Sequence, residues 1–150
     1  MELVAKIEIP KGSMIKYEFN KESNTLEVDR TLPIQCPFNY GFIPSSPLSA
    51  DGDPLDIFIT NFEPLAPLSE VKFKVWGVLL CQDQGIEDNK VIAGIDGDSY
   101  IDFNYFKKIR NYLENYKTGF IVKEYKVFTD DILFTNFVEA KKWSGILWQF

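Results

Sequence analysis

Residues 51 to 56 read DGDPLD, three aspartates in six positions around a glycine and a proline. At neutral pH charges that close repel one another, so a fold must solvate them in a loop or neutralise them with cations. The segment LDIFIT, residues 55 to 60, is β-branched, aromatic and alternating. That pattern predicts a half-buried strand and a cluster held rigid beside it. In an unbroken strand Asp51 and Asp53 would share one face and Asp56 the other. Gly52 and Pro54 allow a turn or bulge that swings all three carboxylates toward one point, the arrangement of a hard-cation site. The EF-hand calcium loop is excluded, because its fifth, sixth and twelfth positions would here be Leu55, Asp56 and Phe62. An acidic turn that merely closes a hairpin is the alternative this segment leaves open.

Other charged residues fall where elements end. Lys16 and Glu18 share a strand face opposite Ile15, Tyr17 and Phe19, Arg30 closes the next strand, and Asp83, Asp88 and Lys90 sit in or beside a polar loop. Tyr116 and Lys117 stand at the end of a helical pattern, where a cation suits the helix dipole. Taken singly, each reads as a solvated surface charge. Histidine is absent. Imidazole acid/base chemistry and most zinc sites are thereby excluded, leaving carboxylate, Lys, Arg and Tyr chemistry.

The elements that must position these groups change period along the chain. LVAKIEI (3 to 9) and MIKYEF (14 to 19) alternate across a PKGS turn, TLEVDR (25 to 30) follows KESN, and VKFKVWGVLLC (71 to 81) and KVIAGI (90 to 95) flank QDQGIEDN. Regular short strands of this kind predict a β-barrel or sandwich. From Phe103 through Phe106, Ile109, Leu113 and Tyr116 the apolar spacing becomes helical, with Gly119 as the stop. A last helix is expected from an N-cap at Thr129, ahead of Asp130 and Asp131, to about Lys142. No internal repeat, low-complexity tract or linker interrupts the 150 residues, which predict a single domain over 1–150.

Composition narrows the function. The apolar and charged fractions, 45% and 25%, are those of an ordinary globular protein, and a formal charge of −6 argues against a nucleic-acid binder. Any phosphate ligand must be met locally or through metal. Cys36 and Cys81 are too few for a disulfide framework, and the opening MELVAKIEIP lacks a signal-peptide core. These features predict a cytoplasmic protein with reduced thiols. No apolar run approaches the roughly 18 residues of a membrane-spanning helix, so no membrane partner is expected.

Together the motifs carry a resemblance. With DGDPLD as signature, IKYE (15 to 18), VDR (28 to 30), NYGFIP (39 to 44), the spaced Asp83, Asp88 and Lys90, and ENYK (114 to 117), the chain resembles the soluble family I inorganic pyrophosphatases over most of its length. The resemblance implies a mainly β fold with helices (α+β), an OB-like closed five-stranded barrel with two packed helices. It also implies Mg²⁺-dependent hydrolysis of pyrophosphate to two phosphates, with Mn²⁺ or Zn²⁺ as substitutes, in a homo-oligomer, hexamer or dimer. Hydrolysis must bring water to a highly anionic substrate, so cations are needed before proton transfer matters. An Asp-rich site without histidine suits Mg²⁺, which prefers oxygen ligands and retains water.

By resemblance, Asp51, Asp56 and Asp88 are ligands of inner metals, with Asp56 bridging, and Asp83 joins Asp88 on a substrate-borne metal. Asp53 is implied as general base, Glu8 and Glu18 as outer metal or water contacts, and Lys16, Arg30, Tyr116 and Lys117 as phosphate contacts. Tyr40 would hydrogen-bond near the nucleophile, while Lys90 would balance the acidic cluster and contact the electrophilic side.

The chain departs from the family pattern at Cys36, three residues before Asn39, where a Tyr commonly stands. The connection from Ile95 to about residue 102 is also shorter than usual in bacterial members, and no role is assigned to Trp143 or Trp148. These departures motivate an alternative, a non-catalytic module that senses pyrophosphate or another phosphorylated ligand. A third reading, an oligonucleotide binder on an OB-type barrel, is disfavoured by the negative charge.

Overall fold

Among the described residues, alternating β-branched and aromatic stretches form ten strands, and two further stretches form two helices. The computed structural model describes residues 3–20, 22–23, 25–47, 52–60, 63–95, 103–128 and 131–144. In chain order the elements are β1 (Val4–Ile9), β2 (Ile15–Asn20), β3 (Thr25–Thr31), β4 (Asn39–Phe42), β5 (Asp56–Ile59) and β6 (Glu70–Lys72). They continue with β7 (Lys74–Asp83), β8 (Ile86–Glu87), β9 (Lys90–Gly94), α1 (Phe103–Tyr116), β10 (Phe120–Val127) and α2 (Asp131–Ser144). The expected mainly β fold with two helices is what forms.

The main sheet runs β10-β7-β9-β5-β4-β1-β6, with β8 paired to β7, and β2 and β3 make a separate ladder. Among the described residues no ladder joins β10 to β6. Its centre is the parallel pair β5 and β9, flanked by antiparallel neighbours. That placement corrects the expectation of a half-buried strand at 55 to 60: Ile57, Phe58 and Ile59 are all fully buried. Phe58 joins Leu79, Ile92 and the α1 residues Phe106, Ile109 and Leu113 in one core, while Ile57 and Ile59 join Ile7, Val91, Phe134 and Val138 in another. A strand covered on both faces loses the polar half of its alternation.

Two further differences have local causes. The single strand expected over 71 to 81 breaks at Phe73, whose N–H donates to the Leu3 carbonyl at 3.2 Å. The break lets β6 pair with β1 while β7 pairs with β9 and β10. Strands β4 and β10 were not expected; β4 has only four residues, and β10 is exposed over most of its length and so lacks a clear apolar face. Gly119 takes the positive φ of 82° that ends α1, as expected. Thr129 and Asp130 lie outside the described residues, and α2 opens at Asp131, whose Oδ1 accepts the Val75 N–H at 3.2 Å and pins the helix to β7.

Candidate active site

A pocket of about 410 Å³ opens over one region of the sheet, lined by Glu8, Lys16, Arg30, Tyr40, Phe42, Asp53, Pro54, Asp56, Asp83, Asp88 and Lys117. Its residues arrive from many separate elements. Glu8 sits at a bulge in β1, where the register to β4 shifts between Ile7 and Ile9, so Ile7 and Ile9 enter different cores. Lys16 and Arg30 are cross-strand partners in the β2–β3 ladder. Asp53 and Pro54 come from the turn before β5, which Gly52 enters at a φ of 86°. That glycine supplies the backbone freedom the acidic segment requires.

Lys90, itself buried, ties three of the lining residues together. It opens β9 directly beside Asp56, which opens β5, in the parallel ladder. Its Nζ donates to Asp56 Oδ2 at 2.6 Å, to Asp88 Oδ1 and Oδ2 at 3.0 and 3.1 Å, and to the Tyr40 hydroxyl at 3.1 Å. Burial alone would drive the ammonium toward neutrality, but Asp56, Tyr40 and Asp88 outweigh it and hold the Lys90 pKa well above the ordinary value. Burial pushes the Tyr40 phenol well up, and Asp56 adds to the shift, so it remains a neutral donor and acceptor.

The upper wall is less neutralised. Burial raises Glu8 to about 7, an effect that Lys16 opposes and Asp56 reinforces. Lys16 lies 3.8 Å from Glu8 and 3.5 Å from Asp29. On the far wall Lys117 Nζ lies 3.3 Å from Asp83 Oδ2. Five carboxylates thus face three cationic side chains around the lining, with the Lys90 ammonium beneath.

Most of the residues expected from sequence meet here: Glu8, Lys16, Arg30, Tyr40, Asp53, Asp56, Asp83, Asp88 and Lys117 line the pocket, and Lys90 underlies it. Glu18 is exposed, lies across from Glu27 in the ladder and is not among the lining residues. Tyr116 is partly buried against the α1 core rather than in the lining, stacked on Tyr112 at 4.7 Å. Asp51 lies outside the described residues. Phe42 and the Lys16 partner Asp29 were not singled out from sequence, although they lie within the NYGFIP and VDR motifs, and Pro54, expected only to shape the turn, also lines the pocket.

The donor set fits a hard divalent cation. It consists of carboxylate oxygens facing one open pocket, and the chain holds no histidine. Among the described residues no three acidic groups converge on one point, and the cation between Asp56 and Asp88 is the Lys90 ammonium. Among the described residues no helix is long and apolar enough to cross a membrane.

The family model for inorganic pyrophosphatase matches residues 5–144. The chain is 42% identical over 130 residues to the inorganic pyrophosphatase of Nanoarchaeum equitans, covering 78% of this chain and 79% of that one. It is 37% identical over 147 residues to soluble inorganic pyrophosphatase 2 of Chlamydomonas reinhardtii, covering 91% and 73%. Among solved structures, the Thermus thermophilus inorganic pyrophosphatase superposes with a TM-score of 0.76 at 32% identity, covering 91% of this chain and 87% of that one. The Neisseria gonorrhoeae enzyme superposes with a TM-score of 0.78 at 26% identity, covering 94% and 90%. Nothing in these likenesses supports the alternative of a non-catalytic sensor. With nearly the whole chain matched by the family model and the acid-lined pocket in place, the protein belongs to the family I inorganic pyrophosphatases.

Proposed function

We propose that the chain hydrolyses inorganic pyrophosphate to two phosphates in this pocket, using Mg²⁺ as its divalent metal. Hydrolysis itself follows from family membership, and the family is metal-dependent. The observation that carries the siting is the buried Lys90 ammonium, bonded to Asp56, Asp88 and Tyr40 beneath a pocket with acids on all sides and Lys16, Arg30 and Lys117 at its walls. Asp51, Asp56, Asp83 and Asp88 would hold the ions, with Glu8 and Glu18 as outer contacts. When bound, Mg²⁺, or Mn²⁺ or Zn²⁺ in its place, neutralises substrate charge and acidifies coordinated water.

The chain's own groups divide the remaining work. Arg30 offers a planar fork to phosphate oxygens, and Lys16, Lys117 and the Tyr116 hydroxyl add point contacts, which together orient the anhydride. Asp53, exposed at the pocket wall, accepts the proton from the attacking water, a role for which a positioned carboxylate contributes roughly 10²–10⁴ in rate. Tyr40, whose hydroxyl oxygen accepts from the Lys90 ammonium, turns its own proton toward that water. Lys90 holds the Asp56 and Asp88 side chains in place through its ion pairs, and adds positive charge where the transition state gains negative charge.

The same reading expects a cytoplasmic homo-oligomer, hexamer or dimer, with both buried thiols reduced. Light scattering on the purified protein measures its subunit count. The functional test is phosphate release from pyrophosphate after chelation and after Mg²⁺ is restored. Loss and recovery of release support the metal requirement, and release that persists under chelator contradicts it.

A further inference from the structure

Cys36 is fully buried in the core against which the pocket residue Tyr40 packs, and its backbone is pinned on both sides. Its N–H donates to the Ser13 carbonyl at 3.0 Å, its carbonyl accepts the Gly12 N–H at 2.8 Å, and its thiol donates to the Phe38 carbonyl at 3.0 Å. A larger side chain at this position has no backbone freedom with which to withdraw. Tyr112 of α1 belongs to the same core. The two groups shift each other's proton affinity, though without the geometry of a full hydrogen bond.

Tyr112 is a costly choice if packing is its only role. Its hydroxyl is buried with no hydrogen bond among the described residues, a penalty that phenylalanine would avoid. Its ring is wedged between two others. Phe58 meets it edge-on at 6.3 Å, and Tyr116, one helical turn later, stacks on it at 4.7 Å with 26° between planes. Tyr116 is followed by Lys117, whose Nζ lies 5.7 Å from the Tyr116 ring and 3.3 Å from Asp83. A shift of the Tyr112 ring is therefore transmitted to the end of α1 that faces the pocket.

We propose that Tyr112 is a positioning residue for pyrophosphate binding: its ring fixes Tyr116 beside Lys117, and its phenol fills the room that the small Cys36 leaves open. The inference rests on the reading of Tyr116 and Lys117 as phosphate contacts. It also bears on Cys36, where a Tyr commonly stands in the family the chain resembles. A tyrosine introduced there meets a space already occupied by a phenol, so Cys36→Tyr overpacks the core and displaces Tyr116.

The test is steady-state phosphate release at saturating Mg²⁺, with thermal melting of every variant. Tyr112→Leu is expected to raise the KM for pyrophosphate about tenfold while kcat changes less than about threefold, the split of a lost binding geometry. Tyr112→Phe, which keeps the stack, is expected to raise KM about threefold without lowering the melting temperature. Cys36→Tyr is expected to raise KM and lower the melting temperature, and adding Tyr112→Leu to it recovers most of both losses, a non-additivity that reports contact. Unchanged KM in Tyr112→Leu and Tyr112→Phe, or additive losses in the double variant, would overturn the proposal. Tyr116→Phe and Lys117→Ala separate the premises. If these two raise KM while the Tyr112 variants do not, only the positioning role fails; if they leave KM unchanged, the phosphate contacts fail and the proposal falls with them.

Discussion

The Lys90 ammonium lies 2.6 Å from Asp56 Oδ2 although 34 residues separate the two in the chain. Parallel pairing of β5 and β9 places their first residues side by side, so the fold itself delivers the cation to the acidic cluster.

Removing that cation strands two carboxylates. Asp88 is almost fully buried and Asp56 partly so, and Lys90 is their common partner. Lys90→Met is expected to lower stability by about 3 kcal/mol, since breaking a buried pair leaves an uncompensated charge. Urea unfolding measures it. The loss should be smaller with millimolar Mg²⁺ than with chelator, because a divalent cation offsets the same carboxylates; equal losses in both would argue against a cation site there.

Gly41 of the NYGF segment has a steric role. A Cβ there would overlap the Lys6 carbonyl oxygen and lie 2.8 Å from its carbon, across the ladder that joins β1 to β4. Gly41→Ala is expected to cost about 2–3 kcal/mol by overpacking. Activity should fall with it, since Glu8 and Tyr40 sit beside this contact on the two strands. An unchanged urea midpoint would refute the close approach.

The two thiols define the alkaline limit. Burial pushes both Cys36 and Cys81 from 9.0 to about 12. The folded chain thus keeps protons that the unfolded chain releases, and stability present below pH 9 is lost as pH rises toward 12. Each thiol contributes a loss of about 1.4 kcal/mol per pH unit in that window. The urea midpoint at pH 10.5 should therefore lie well below that at pH 8. Neither thiol should react with iodoacetamide at pH 8 until the protein unfolds, and rapid labelling of the native protein would contradict their burial.

How much of this was legible differs from residue to residue. The three aspartates of DGDPLD pointed to a cation site because such crowding beside a strand needs neutralising or solvating, and of the three Asp53 and Asp56 are among the pocket's lining residues. The tie between Asp56 and Lys90 was not readable from composition or period, because a parallel ladder is a non-local pairing that leaves no mark on either strand. The period also misled at Ile57, Phe58 and Ile59, where cores on both faces demand apolar residues throughout. Glu18 shows the opposite limit. Its place two residues after Lys16 gave the two a shared strand face, and only the resemblance implied a site role for Glu18; of the pair, Lys16 is among the pocket's lining residues.

Lys117 and Asp83 form a half-exposed pair at the pocket wall. Such a pair contributes little to stability, so Lys117→Ala is expected to leave the melting temperature within a degree or two and act on the substrate instead. The KM for pyrophosphate should rise about tenfold and lose much of its dependence on ionic strength. A KM equal to that of the native protein would remove Lys117 from the phosphate contacts.

Asp53 offers the most direct test of catalysis in this pocket. Phosphate release from pyrophosphate at saturating Mg²⁺ should fall by about 10²–10⁴ in Asp53→Asn, with melting temperature and pyrophosphate binding close to native. Near-native turnover in that variant would contradict the assignment of the pocket as the place where water attacks the anhydride.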